Sequence, residues 1–190
     1  MAGTIYLIST EYLKQNTPIN ENTADYLLNA AIRDAQTINL QIVLGTVLYR
    51  KIMSMVGDGS ISDGANADYK VLLDDYIRPL VLAYAYMYAI PAIRYKVMNV
   101  GVVSQSSDSS TPVDTKELKF ILDSARDKAE YYATLLSDYI RANIRLFPEY
   151  TQNRAVDEKR PMLNQYTSGL VLSDVYPDQF HYNDFPVYRR

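Results

Sequence analysis

"DTKELKFILDSARDKAEYYATLLSDYIRANIRLFP", residues 114–148, carries the strongest helical signal in the chain. Leu118, Ile121, Leu122, Ala125, Ala129, Tyr132, Leu136, Tyr139, Ile140 and Ile144 recur at three- and four-residue intervals, the spacing that lines one face of an α-helix. Asp114 and Glu117 stand in capping-box spacing at its start, and Pro148 stops it after Phe147. A helix of about 33 residues is about 50 Å long. That exceeds what one small core needs, so it either spans the height of a bundle or buries part of its stripe on another chain.

Upstream, the same period recurs. Ala24, Leu27, Leu28, Ala31, Ile32, Ala35 and Ile38 make a first amphipathic helix, with Pro18 before it and Asn20 as its cap. Leu40, Val43, Leu44, Val47, Leu48, Ile52 and Met55 continue across Gly45, whose place in a helix marks a bend or a close contact. Residues 57–66, "GDGSISDGAN", read as a loop.

A third helical segment covers Asp68–Ile90, with Leu72, Leu73, Tyr76, Ile77, Leu80, Ala83, Tyr84, Met87 and Tyr88 inward. Pro79 predicts a kink or break near Arg78. Past Leu80 the segment is apolar nearly all round, which predicts the most buried helix of the fold. Residues 4–13, "TIYLISTEYL", are too short a pattern to separate a strand from an extended arm. Residues 94–113 change character: "YKVMNVGVV" alternates, Asn99 and Gly101 are turn residues, and a Ser-rich run follows. A β-hairpin or extended loop excursion is expected there, with Val100 and Val102 on a contact surface. The fold class is mainly α, a helical bundle with one very long C-terminal helix, that excursion, and an extended C-terminal arm. The organisation is a body over 1–150 and an arm over 151–190.

The arm, "TQNRAVDEKRPMLNQYTSGLVLSDVYPDQFHYNDFPVYRR", holds Pro161, Pro177 and Pro186, so it cannot form a long helix. It also carries Tyr166, Tyr176, Phe180, Tyr182, Phe185 and Tyr188, and aromatics at this density want burial. Forty extended residues reach on the order of 130 Å. The arm is therefore expected to dock on a neighbouring copy or a partner.

Among 190 residues, 48% are hydrophobic and 22% charged, ordinary values for a globular chain. The net charge of -3 disfavours a protein that grips nucleic-acid phosphates. With no Cys, disulfides, thiolate metal sites and cysteine nucleophiles are excluded. "MAGTIYLISTEYLKQ" has no basic start and only a short apolar patch, and reads as a cytosolic N-terminus. "LVLAYAYMYAIPAI" is too short for a membrane span and is read as core. Eighteen Tyr against four Phe and no Trp suit half-buried surfaces as well as a core.

Catalytic chemistry finds little support. His181 is the single His, and no G-x-S-x-G elbow accompanies it. Gly59 and Gly64 have phosphate-loop spacing, but Ala65 and Asn66 stand where Lys and Ser or Thr are needed. Counted as a calcium loop from Asp58, Asp63 replaces the turn Gly and Tyr69 the bidentate Glu. Asp74 and Asp75 diverge on their helix, and Asp75 with Arg78 is expected as a surface ion pair. The expectation is a non-enzyme with no cofactor and no metal.

"AQTINLQIVLGTVLY" at Ala35–Tyr49, "NVGVV" at Asn99–Val103 and "FPEY" at Phe147–Tyr150 together resemble the head-to-tail connector ring proteins of tailed bacteriophages, in particular those of crAss-like phages of Bacteroidetes hosts. The resemblance covers about residues 20–150. It implies a helical adaptor forming a homo-oligomeric, dodecameric ring in the virion neck. Such a ring docks on the portal protein, meets a neighbouring ring or tail protein, and lets double-stranded DNA pass through its lumen during genome ejection without specific binding. Assembly in the bacterial host cytoplasm, with no membrane partner, follows from the same reading. The alternative is a monomeric or dimeric helical module that captures a partner protein through its arm.

Overall fold

In the computed structural model, residues 4–98, 101–104, 115–153 and 158–161 are described, the side chains of 95–98, 101–104 and 115 excepted. The arm residues Tyr166, Tyr176, Phe180, Tyr182, Phe185 and Tyr188, together with His181, Asp114 of the proposed capping box and Val100, lie outside them.

The bundle centres on α6 (Arg78–Arg94), which packs against α2 (Asp25–Asp34) on one side and α7 (Thr115–Ala142) on another. Leu80, Val81, Ala83, Tyr84, Ala85 and Ala89 of α6 are buried. With apolar residues on every side, α6 is stable only when neighbours surround it, as the sequence leads one to expect.

The chain enters as an extended segment and forms α1 (Thr10–Asn16), where Ser9 accepts a hydrogen bond from the Tyr12 N–H. Asn20 is not the cap of α2. Its side chain accepts from the Asn22 N–H at 2.8 Å in a local turn, and α2 starts at Asp25, which pairs with Lys14.

α2 continues without interruption through a π-helical turn, Ala35–Leu40, into α3 (Gln41–Leu44). A π turn holds an extra residue per turn, so it shifts the phase of everything after it. Ile38, expected inward at 3.6 periodicity, is 49% exposed, and Gln36 is buried in its place. Ala24 is exposed as well, lying ahead of the helix.

Gly45 ends α3 at φ 72° and ψ 166°, and α4 (Thr46–Gly57) follows. Residues 58–66 form two 3₁₀ turns, Ser60–Ser62 and Gly64–Asn66. Asp58 accepts from the Ser60 N–H at 2.9 Å and Ile61 is buried, so this loop is tied to the body.

α5 (Ala67–Val71) passes through a second π turn, Leu72–Ile77, directly into α6. Of the kink or break expected near Arg78, the break does not occur, because the helix continues from the π turn into α6. The Arg78 N–H bonds back to the Leu73 carbonyl, five residues earlier, and the extra residue lets the helix run on past Pro79. It also runs on past Pro91 to Arg94. Arg78 pairs with Asp74, four residues back, at 2.6 Å rather than with Asp75; Asp74 also pairs with Lys70.

Strands β1 (Tyr95–Met98) and β2 (Gly101–Ser104) form the antiparallel hairpin, with Val97 opposite Val102 and Met98 opposite Gly101.

α7 is shorter than its stripe suggests, since it ends at Ala142 and residues 143–146 form turns. At this end the Asn143 N–H and its side-chain Nδ2 both donate to the Tyr139 carbonyl, at 3.1 and 3.0 Å, and the chain then tightens into turns in which the Leu146 N–H bonds to the Asn143 carbonyl and the Phe147 N–H to the Ile144 carbonyl. The reversal swings Phe147 into the core, where it is fully buried, and a 3₁₀ turn, Pro148–Thr151, follows.

Candidate functional site: the clasp at the root of the arm

α4 begins with a capping problem. Gly45 stands at its N-cap without a side chain, so the first-turn N–H groups need partners from elsewhere. They come from more than a hundred residues downstream. The Thr46 N–H donates to the Lys159 carbonyl at 3.0 Å, and the Lys159 N–H donates to Thr46 Oγ1 at 2.9 Å. The Val47 N–H donates to Oδ1 of buried Asn153 at 3.0 Å, while Asn153 Nδ2 donates to the Tyr150 carbonyl.

This approach requires glycine twice over. A β-carbon at residue 45 would stand 2.9 Å from Asn153 Nδ2 and 2.9 Å from Pro161 Cδ, and the backbone there lies where only glycine is at ease.

One turn along α4, Lys51 reaches Glu149 of the 3₁₀ turn at 2.5 Å and Tyr69 of α5 at 3.0 Å, and the Tyr69 hydroxyl donates to Glu149 Oε2 at 2.8 Å. Lys51 Nζ also sits 4.4 Å from the centre of the Tyr69 ring. Tyr69 meets Phe147 edge-on at 5.4 Å, and Tyr139 stacks on Tyr76 at 3.9 Å. Three segments distant in sequence thus share one aromatic and charged cluster.

The electrostatics agree with a charged pair shielded on one side. Burial pushes the Glu149 carboxyl up, but hydrogen bonds from Lys51, its own backbone N–H and Tyr69 outweigh it and hold the group below the usual Glu value. For Lys51, burial acts downward, and the bonds to Glu149 and Tyr69 reverse it, so its pKa is raised. Burial raises the Tyr69 phenol, with further upward and opposing contributions from Glu149 and Lys51.

Lys51 and Glu149 thus join α4 to the segment that follows α7, with Tyr69 of α5 bonded to both. Among the described residues no group of three or more His, Cys, Asp or Glu is placed to hold a metal ion, and no helix is long and apolar enough to cross a membrane.

Sequence reasoning named the two halves of this site, "AQTINLQIVLGTVLY" and "FPEY", without their contact. Lys51, Glu149, Asn153 and Lys159 were not singled out, and Tyr69 was named only as a misfit in a calcium loop. The Gly45 position was the available signal, since a glycine inside an apolar helical run implies that something comes close. Of the expected contact residues, Val102 lies in β2, paired with Val97.

Fold and site define a class: a mainly α bundle whose long C-terminal helix turns back to fasten the following segment onto a glycine helix break. The chain belongs to the family of unknown function DUF6712, which matches residues 40–160. The matched span runs from the end of the first π turn through Gly45 to just past Lys159, so the start of α4 and its partners Asn153 and Lys159 fall inside it, with Pro161 one residue beyond. No curated protein and no solved structure matches the chain.

Proposed function

We propose that this protein is a structural, non-enzymatic subunit of an oligomeric ring, of the kind that joins head to tail in tailed bacteriophages. In this reading the ring sits in the virion neck, docks on a portal protein, and continues the DNA channel toward a neighbouring ring or the tail. The body packs side by side with its copies, and the arm beyond the clasp reaches out to them.

The observation that carries the reading is the second apolar stripe of α7. Ala125, Ala129, Leu136 and Ile140 face the bundle and are buried. On the opposite side Phe120 is 76% and Tyr131 64% exposed, with Leu135 also exposed. At about 100° per residue these three fall within an arc of about 60°. A lone exposed Leu is ordinary, but large side chains aligned along one helix face mark a contact surface.

The clasp supports the same reading. By fastening residues 158–161 to α4, it gives the remaining 29 residues a firm starting point at Pro161. The net charge of -3 suits a lumen that lets DNA slide.

Native mass spectrometry of the purified chain, followed by imaging of virions that contain it, tests the proposal. A closed ring, or a symmetric collar below the portal, is the expected result. A monomer absent from virions would leave the partner-capturing module as the reading to pursue.

A further inference from the structure

A groove of about 190 Å³ opens where the exit of α1 meets α6 and α7. Its walls are Pro18, Leu82, Tyr86, Ile121 and Tyr132, and Lys128 stands at the rim beside Ser124. An apolar cavity of about 150 Å³ holds a benzene ring, so the groove has room for one aromatic side chain. Among the described residues no hydrogen bond or ion pair reaches exposed Lys128, whereas Arg126 and Arg141 on the same helix have Asp partners. An apolar slot with an unpaired cation at its lip suits an aromatic residue flanked by acid.

The chain supplies such a sequence. Residues 173–185, "SDVYPDQFHYNDF", contain Asp174, Asp178 and Asp184, with no Lys or Arg, and four of the arm's aromatics. The clasp holds the chain at Pro161 near the C-terminal end of α7, while the groove lies toward its N-terminal half. From Ile121 to Tyr139 is about 27 Å along the helix. The 29 residues that follow Pro161 extend to about 100 Å, enough to reach this groove in the same chain or in an adjacent copy, and the ring reading selects the adjacent copy.

We infer that the α1/α6/α7 groove seats an aromatic side chain of residues 173–185 donated by a second copy of this chain, with Lys128 pairing to one of the neighbouring Asp carboxylates. The inference rests on the ring reading and makes it more specific. Tyr131 of the exposed stripe contacts Tyr132 of the groove wall edge-on at 5.7 Å. A docked arm and a packed neighbour would therefore share one continuous surface.

The chain has no Cys, so Ser124→Cys gives a single attachment point at the rim. The full-length variant, labelled there with a benzophenone maleimide, is mixed as equal heavy- and light-isotope populations, assembled, irradiated and digested for mass spectrometry. Cross-links should fall in residues 173–185 and should include heavy–light pairs. Lys128→Glu should lower their yield several-fold, and Phe180→Ala with Phe185→Ala should lower it without altering the circular dichroism of the body.

Cross-links from the groove to any other region, or none to the arm, would overturn the inference even in a chain whose native mass shows a ring. Links confined to one isotope population within a ring would overturn donation between copies and leave the ring itself intact. A monomeric mass with no mixed link would remove both readings together.

Discussion

Gly45 is the residue on which the clasp turns. Its φ of 72° and ψ of 166° lie in a region reserved for glycine, and its missing side chain makes room for Asn153 and Pro161. Gly45→Ala should therefore cost about 2–4 kcal/mol, adding backbone strain to overpacking, read as a lower urea midpoint with an unchanged slope. Asn153→Ala leaves the Val47 N–H without its partner and should cost about 1–3 kcal/mol. Glu149 gives the clasp a pH dependence. Its carboxyl is lowered in the folded state, so the stability it contributes is present above the ordinary Glu value of about 4.3 and is lost as pH falls through the lowered one. In melting curves from pH 7 down to pH 3, Glu149→Gln should start below the parent and converge with it in acid; a gap of constant size would rule out this carboxylate as the source. At this scale the sequence was legible only where a residue breaks its local pattern. Gly45 did so, and it announced either a bend or a close contact; the structure contains both. Gln36 gave no such sign, yet it is 2% exposed, accepting from the Leu7 N–H at 2.8 Å and donating to the Ile5 carbonyl. A buried glutamine looks like any other polar position in a helical repeat until its partner, here the entering chain, is known.

The elements of the bundle follow from apolar spacing, and their irregularities do not. Helical periodicity located α2, α4, α6 and α7, and the all-round apolar character of α6 put it at the centre. Both π turns escaped, because counting at 3.6 residues per turn assumes the regularity that a π turn breaks. The same assumption turned Ile38 inward. Ten residues were too few to reveal α1 by period, although Ser9 three residues before Tyr12 offered a cap signal. The boundary between body and arm is also set by hydrogen bonds that no local pattern carries. Removing residues 162–190 leaves the clasp whole and should leave the melting temperature nearly unchanged. Removing residues 151–190 takes away Asn153 and Lys159 together, leaving the Thr46 and Val47 N–H groups at the start of α4 to be met by water alone. That longer deletion should destabilise the body by about 2–3 kcal/mol, and equal melting temperatures for the two truncations would show that the clasp contributes nothing to the fold.

At the scale of the whole molecule, one helix serves two surfaces. Ala129, Leu136 and Ile140 close the core from inside, and small alanines at 125 and 129 let α7 lie close against α6. Phe120, Tyr131 and Leu135 on the outer side take no part in that core, so they can be changed without opening a cavity. Replacing Phe120 and Tyr131 together by Glu removes two large apolar contacts and puts charge where a neighbour would have to desolvate it, a strong penalty against association. For an isolated chain the same change costs little, about 1 kcal/mol, since both positions are exposed and only the edge-on contact of Tyr131 with Tyr132 is lost. The proposed ring therefore predicts a separation of effects. The double variant should keep the helical circular dichroism and nearly the melting temperature of the parent monomer while its native mass shifts from an oligomer to a single chain. An oligomer of undiminished mass would place the lateral contact on another face of the bundle, and the hairpin and the arm would then be the surfaces to alter next.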